Sequence, residues 1–157
     1  MAITLNGTTG ITTPADTVTG NASVGGTLNV TGATALSSTL GVTGNTTLGS
    51  YSETVVAIGT VTTANTLSLA TGTVQTATLT ASTACTFTMP TATAGKSFIL
   101  LLKQAATTGN GTATFTGVKW NSAGAPTITA TAGKMDILTF VSDGTNWYGS
   151  YSQGYTP

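Results

Sequence analysis

The chain has 157 residues, of which 5% are charged: four Lys, four Asp or Glu, no Arg and no His, for a formal net charge of zero. So little charge is unlike an ordinary solvated domain, where about 25% is usual. It also excludes the cationic surface that a nucleic-acid partner demands, since phosphates are neutralised by Lys and Arg.

Thr supplies about a quarter of the residues, and Gly, Ala and Ser much of the rest. Branched Thr suits a pleated strand and Gly suits turns, whereas helices would call for Leu, Glu, Lys and Arg. Disordered chains are typically charged and poor in β-branched residues, the opposite of this bias. The expected fold class is all-β.

Residues 1–17 form a polar lead with a brief strand-like start at Ile3-Thr4-Leu5 and turn signals at Asn6-Gly7 and Pro14. This segment reads as an attachment tip or a cap. From 18 to 51 the chain repeats with a period of six. Val18, Val24, Val30, Leu36, Val42 and Leu48 are apolar, and Gly20, Gly26, Gly32, Ser38, Gly44 and Ser50 follow each by two positions. Four positions downstream, Leu28, Thr34, Leu40 and Thr46 alternate between Leu and a hydroxyl, laying a twelve-residue period over the hexad.

A hexad with one apolar residue and one small corner residue is the period of a β-solenoid. A single-chain helix of this kind takes three hexads per coil, so the stretch would close only two coils, too few to bury its own core. Three chains wound together, each supplying one face, would bring the six apolar residues to a common axis. An intertwined trimeric shaft is therefore the expectation, with a two-coil monomeric solenoid and a hairpin stalk as alternatives.

The hexad stops at Tyr51, and 52–157 reads as a separate head. Strands are expected near 54–58, 60–70, 73–80, 84–89, 96–103, 112–120, 126–130, 135–141 and 145–151. They are separated by turn signals at Thr71-Gly72, Pro90, Gly109-Asn110-Gly111, Asn121 to Pro126, Gly133 and Asp143-Gly144. Even spacing of this kind predicts a β-sandwich or jelly-roll-like head. Phe98 to Leu102 is apolar on both faces, the mark of a central strand or an inter-chain contact. Residues 135–141 and 146–151 form a hairpin around Ser142-Asp143-Gly144-Thr145.

Few residues offer chemistry. Ala94-Gly95-Lys96-Ser97 ends like a phosphate-binding loop, but the required upstream Gly is Pro90 and a strand follows where a helix is needed. Asn-x-Ser/Thr triplets at Asn6, Asn21, Asn29, Asn45 and Asn110 are what a Thr-rich chain gives by chance, and no signal peptide or membrane-spanning apolar run accompanies them. The lone Cys85 reads as a small buried hydrophobe, and without His a metal site is not expected. Of the four carboxylates, Asp136 and Asp143 would lie about 15–20 Å apart along the hairpin, too far for a glycosidase pair at roughly 5–9.5 Å. The expectation is a protein that is not an enzyme and needs no cofactor. Trp120 with Asn121, and Trp147 and Tyr148 beside Asn146, lie next to turns and are the candidates for a glycan or receptor contact. The alternative is that these rings fill the core or a trimer interface.

The lead and repeats (ITLNGTTGITT, then GNASVGGTLNVTGATALSSTLGVTGNTTLGS) resemble the Gly-Thr-rich N-terminal regions of tailed-bacteriophage fibre and appendage proteins. The end, LTFVSDGTNWYGSYS, is similar to the closing hairpin of such proteins. The resemblance implies a homotrimeric virion component, assembled in a host cytoplasm, with a β-helical shaft and a β-rich head. Its partners would be its own copies, another virion structural protein and a host surface glycan, with no nucleic acid and no membrane insertion. A capsid decoration protein and a carbohydrate-binding adhesin module are the alternative functions.

Overall fold

The computed structural model of the chain describes residues 19–157, which are all-β without a helix among them. The 1–17 lead and Val18, the first position of the hexad series, lie outside the described residues. The chain divides between Thr47 and Leu48 into two compact units.

In the first unit, residues 19–47 carry no strand, and every one is exposed in the single chain. The backbone nevertheless keeps the hexad beat, bending at Gly20, Gly26, Gly32, Ser38 and Gly44. The small residues are therefore at the bends, as the repeat predicts, with unbent segments between them.

The second unit holds nine strands: β1 Val55–Val61, β2 Ala64–Thr66, β3 Val74–Leu79, β4 Ala84–Thr88, β5 Ser97–Lys103, β6 Thr112–Thr116, β7 Val118–Lys119, β8 Met135–Ser142 and β9 Trp147–Tyr155. They form a six-stranded sheet in the order β1-β3-β5-β8-β9-β7 and a three-stranded sheet in the order β2-β4-β6. The β1-β3, β3-β5, β2-β4 and β4-β6 pairings are all parallel. The chain thus winds alternately through one sheet and the other, giving three β-solenoid-like coils closed by the antiparallel pairs β5-β8 and β8-β9. The turn spacing predicted a jelly-roll-like connection. The strands stand close to where it placed them, but they are wound as coils. At the end of the third coil Gly117, with φ of 81°, breaks the expected 112–120 strand in two and passes the chain from β6 back to β7 of the larger sheet.

Winding puts like residues above one another. Phe87 of β4 and Phe115 of β6 are register partners and stack at 5.2 Å. Phe115 also meets Phe140 of β8 across the core at 5.6 Å, joining the two sheets, and Phe140 stacks on Phe98 at 4.7 Å. Leu79, Leu100, Leu102 and Leu138 complete a core from which water is excluded. Each such side chain contributes about 1.5–3 kcal/mol by leaving water. β5 is a central strand, as its apolar run suggested, with Phe98, Leu100 and Leu102 inward and Ile99 outward.

The expected strand at 126–130 is absent, although Ile128 is buried. Side chains take the place of a ladder there: Thr129 donates its N–H to Asp136 Oδ2 at 2.7 Å, and its carbonyl accepts from Gln104 Nε2 at 2.8 Å. Gln104 is itself buried and exchanges a second pair of bonds with Gly111, which pins the start of β6.

Candidate assembly surface and the aromatic cluster

In the single chain the apolar hexad residues are uncovered: Val24 is 54% exposed, Val30 50%, Leu36 57%, Val42 51% and Leu48 62%. Leu28 and Leu40, at the intervening position, are exposed as well. Isolated exposed hydrophobes are ordinary, but here they recur with the same period as the bends of the backbone.

The glycan-contact candidates do not share a face. β9 alternates, turning Trp147, Gly149 and Tyr151 toward the core and Tyr148 away from it. Trp147 is 2% exposed, sits edge-on to Phe98 at 5.2 Å and donates its Nε1–H to the carbonyl of Pro90 at 2.7 Å. It is a core residue with its polar atom satisfied and offers no platform. Trp120 is half-buried among Phe115, Phe140 and Tyr151 with ring centroids about 6 Å apart, and it lies over Gly149. Asn121 shapes its own turn, its Oδ1 accepting from the N–H of Ala123 and its carbonyl from that of Gly124. Tyr148 is exposed, while Asn146 is half-buried.

Tyr148 and Asn146 are both tied to Asp143. Asp143 Oδ1 accepts from the N–H groups of Asn146 and Thr145 at 2.7 and 2.8 Å, and Oδ2 accepts from the Tyr148 hydroxyl at 2.9 Å. The Asn146 and Thr145 amides, with Tyr148 behind them, hold the Asp143 carboxyl down at about 2. The same carboxylate pushes the Tyr148 hydroxyl above its ordinary value. The arrangement is that of a loop carboxylate fixing a hairpin, as the Asp-Gly turn suggested.

Asp136, the other hairpin carboxylate, is buried. Burial acts to raise its pKa, but bonds from Thr129, Gln153 and Gly154 together outweigh it and hold the group below the usual carboxylate value. Both its oxygens are engaged in fastening the 126–130 segment and the end of β9. Cys85 is buried and its thiol pushed up by burial, away from the thiolate form.

Comparison with protein-family models, curated proteins and solved structures gives no match to this chain. Function is therefore read from the geometry.

Among the described residues no group of three His, Cys, Asp or Glu is placed to hold a metal ion, and no helix is long and apolar enough to cross a membrane. Sequence reasoning missed the buried polar set of Gln75, Gln104 and Asp136. The outer face of the larger sheet was visible in β5, whose 98–102 run is apolar on both faces, but not its continuation into β8. On that face Ile99, Leu101, Ile137 and Val141 occupy the positions that alternate with the core.

Proposed function

We propose that this protein is a non-enzymatic structural component of a tailed-bacteriophage particle: a short homotrimeric fibre in which 18–51 is the shaft and 52–157 the head. The observation that carries the reading is the uncovered apolar series from Val24 to Leu48 on a backbone that bends every sixth residue. One copy leaves these side chains in water. Three copies around an axis would bury them, each Val or Leu, about half exposed in the single chain, gaining roughly 1–2 kcal/mol. Near-absence of charge fits such an assembly, because a face without ions escapes the large cost of desolvating a charge. The other partners in this reading are a neighbouring virion protein and the host surface.

The adhesin alternative draws less support, since Trp147 is core and Trp120 packs against the core, leaving Tyr148 as the exposed ring among its candidates. Light scattering on the purified full chain tests the proposal. A mass three times the 15.5 kDa of one chain is expected, and a particle of single-chain mass overturns it.

A further inference from the structure

The second unit carries three side-chain carboxylates, and two of them, Asp136 and Asp143, are engaged through both oxygens in fixing loops and strand ends. Glu53 is not. It stands on the segment leading into β1, where its Oε2 accepts from the Thr73 hydroxyl and its Oε1 has no partner among the described residues. In a chain with only four acidic residues, a carboxylate without a structural task calls for another one.

Glu53 lines a cleft of about 270 Å³ that lies wholly within the second unit. The sheet contributes Ile99 of β5, its register partner Thr139 on β8, and Ser97 two residues before Ile99 on the same face of β5. Thr73, whose carbonyl accepts from the Ile99 N–H, stands beside them. The lead-in segment contributes Glu53 and the ring of Tyr51, which is 74% exposed.

This lining sorts the candidate ligands. No Lys lines the cleft, so an anion would meet only the repulsion of Glu53. A calcium ion takes about six or more oxygen ligands, commonly with several carboxylates among them, and here there is one. A wholly apolar ligand would strip water from Glu53 and return nothing. An organic cation would find one carboxylate and one ring, whereas quaternary ammonium groups are held in cages of several aromatic faces. It would also make no use of three hydroxyls. A ring that carries several O–H groups on an apolar C–H framework answers every part of the lining. Its hydroxyls donate to Glu53 Oε1 and exchange bonds with Thr73, Ser97 and Thr139, each of which both donates and accepts. Its C–H face lies on Tyr51 and Ile99.

We infer that this cleft binds one neutral sugar ring of a glycan, with Tyr51 and Glu53 as the principal contacts. Pockets for drug-sized ligands run to about 300–1,000 Å³, so this smaller cleft suits a single ring. The inference rests on the host-surface part of the reading above for where such a sugar would be met. The cleft itself is complete in one chain and does not require three copies, although copies on one axis would raise a weak single-site affinity by avidity.

The test is binding of the purified full-length protein to an array of immobilised neutral and sialylated glycans. Tyr51→Ala and Glu53→Gln are compared with the parent, and Tyr148→Ala, which removes another exposed ring, serves as the reference. The parent is expected to bind neutral glycans in preference to sialylated ones. Tyr51→Ala and Glu53→Gln should each lower that binding by about tenfold or more, and Tyr148→Ala should leave it unchanged. Both cleft side chains are exposed, so the two variants should keep the melting temperature and the mass in solution of the parent. A protein of trimer mass that binds no neutral glycan overturns the site and leaves the trimer reading standing. A monomer that binds through Tyr51 does the reverse. Binding that Tyr51→Ala spares and Tyr148→Ala abolishes moves the contact to the hairpin and overturns the cleft. A preference for sialylated glycans overturns the neutral ligand class.

Discussion

Gly149 shows how tightly single positions are specified in the head. A side chain there would drive its Cβ into the ring of Trp120, closer than any allowed contact. The glycine is what lets the indole lie across β9 and reach Phe140 and Tyr151. Gly149→Ala is therefore expected to lower stability by about 1–3 kcal/mol, the range for overpacking a core. Ser150→Ala on the outward side of the same strand should change it by less than about 0.5 kcal/mol in the absence of assembly. Urea unfolding followed by tryptophan fluorescence measures both, and equal effects would contradict the inward placement of Trp120. The alternation that seats Trp147, Gly149 and Tyr151 together was visible in the sequence. What the sequence could not give was its phase, and so the rings next to turns stood equally as core or as contact candidates until the fold turned Trp147 and Trp120 inward and Tyr148 outward.

At the level of elements, the hexad was legible because a period is a local property. The bends at Gly20 through Gly44 fall on the small residues that the repeat marked as corners. The turns at Gly109-Asn110-Gly111 and Asp143-Gly144 were legible for the same reason, each residue type answering a local backbone demand; Asn110, for instance, takes φ of 64°. Pairing partners were not legible. A coil and a jelly roll give the same alternating strands with the same spacing, and the choice depends on which distant strand meets which. That Phe87 lies above Phe115 rather than beside a hairpin neighbour is a fact about residues 28 positions apart. Likewise, 126–130 has a strand's composition but takes its hydrogen bonds from Gln104 and Asp136, which no local pattern announces. The register of the repeat gives an element-scale prediction. If the proposed trimer forms, Val30→Asp or Leu36→Asp would put a charge at its axis and assembly should be lost, whereas Thr31→Asp, off the hexad position, should assemble normally. The readout is the mass in solution of each variant, and a trimer from Val30→Asp would remove the apolar series from the interface.

For the molecule as a whole, scarcity of charge sets the response to pH. Without His the chain lacks the side chain that titrates nearest neutrality, so the acid limb falls to the carboxylates. Asp136 has a folded pKa below the 3.8 of its unfolded reference, and Asp143 is lowered to about 2. A group whose folded pKa is depressed contributes stability that is fully present above the unfolded value and is lost as pH falls through the folded one. Thermal unfolding should therefore hold a level midpoint from about pH 7 down to about pH 5 and decline only below about pH 4. Asp143 is fully solvated, so its share should be the smaller, and Asp136 should dominate. Asp136→Asn tests this directly. The variant is expected to melt lower at neutral pH, because an amide can present a donor to the N–H groups of Thr129 and Gly154 in place of an acceptor. It should also lose part of the acid decline, since the titrating group is gone. A variant with the neutral-pH loss and an unchanged acid limb would mean that other carboxylates govern acid unfolding. A decline beginning near pH 6 in the parent would contradict the depressed carboxylates altogether.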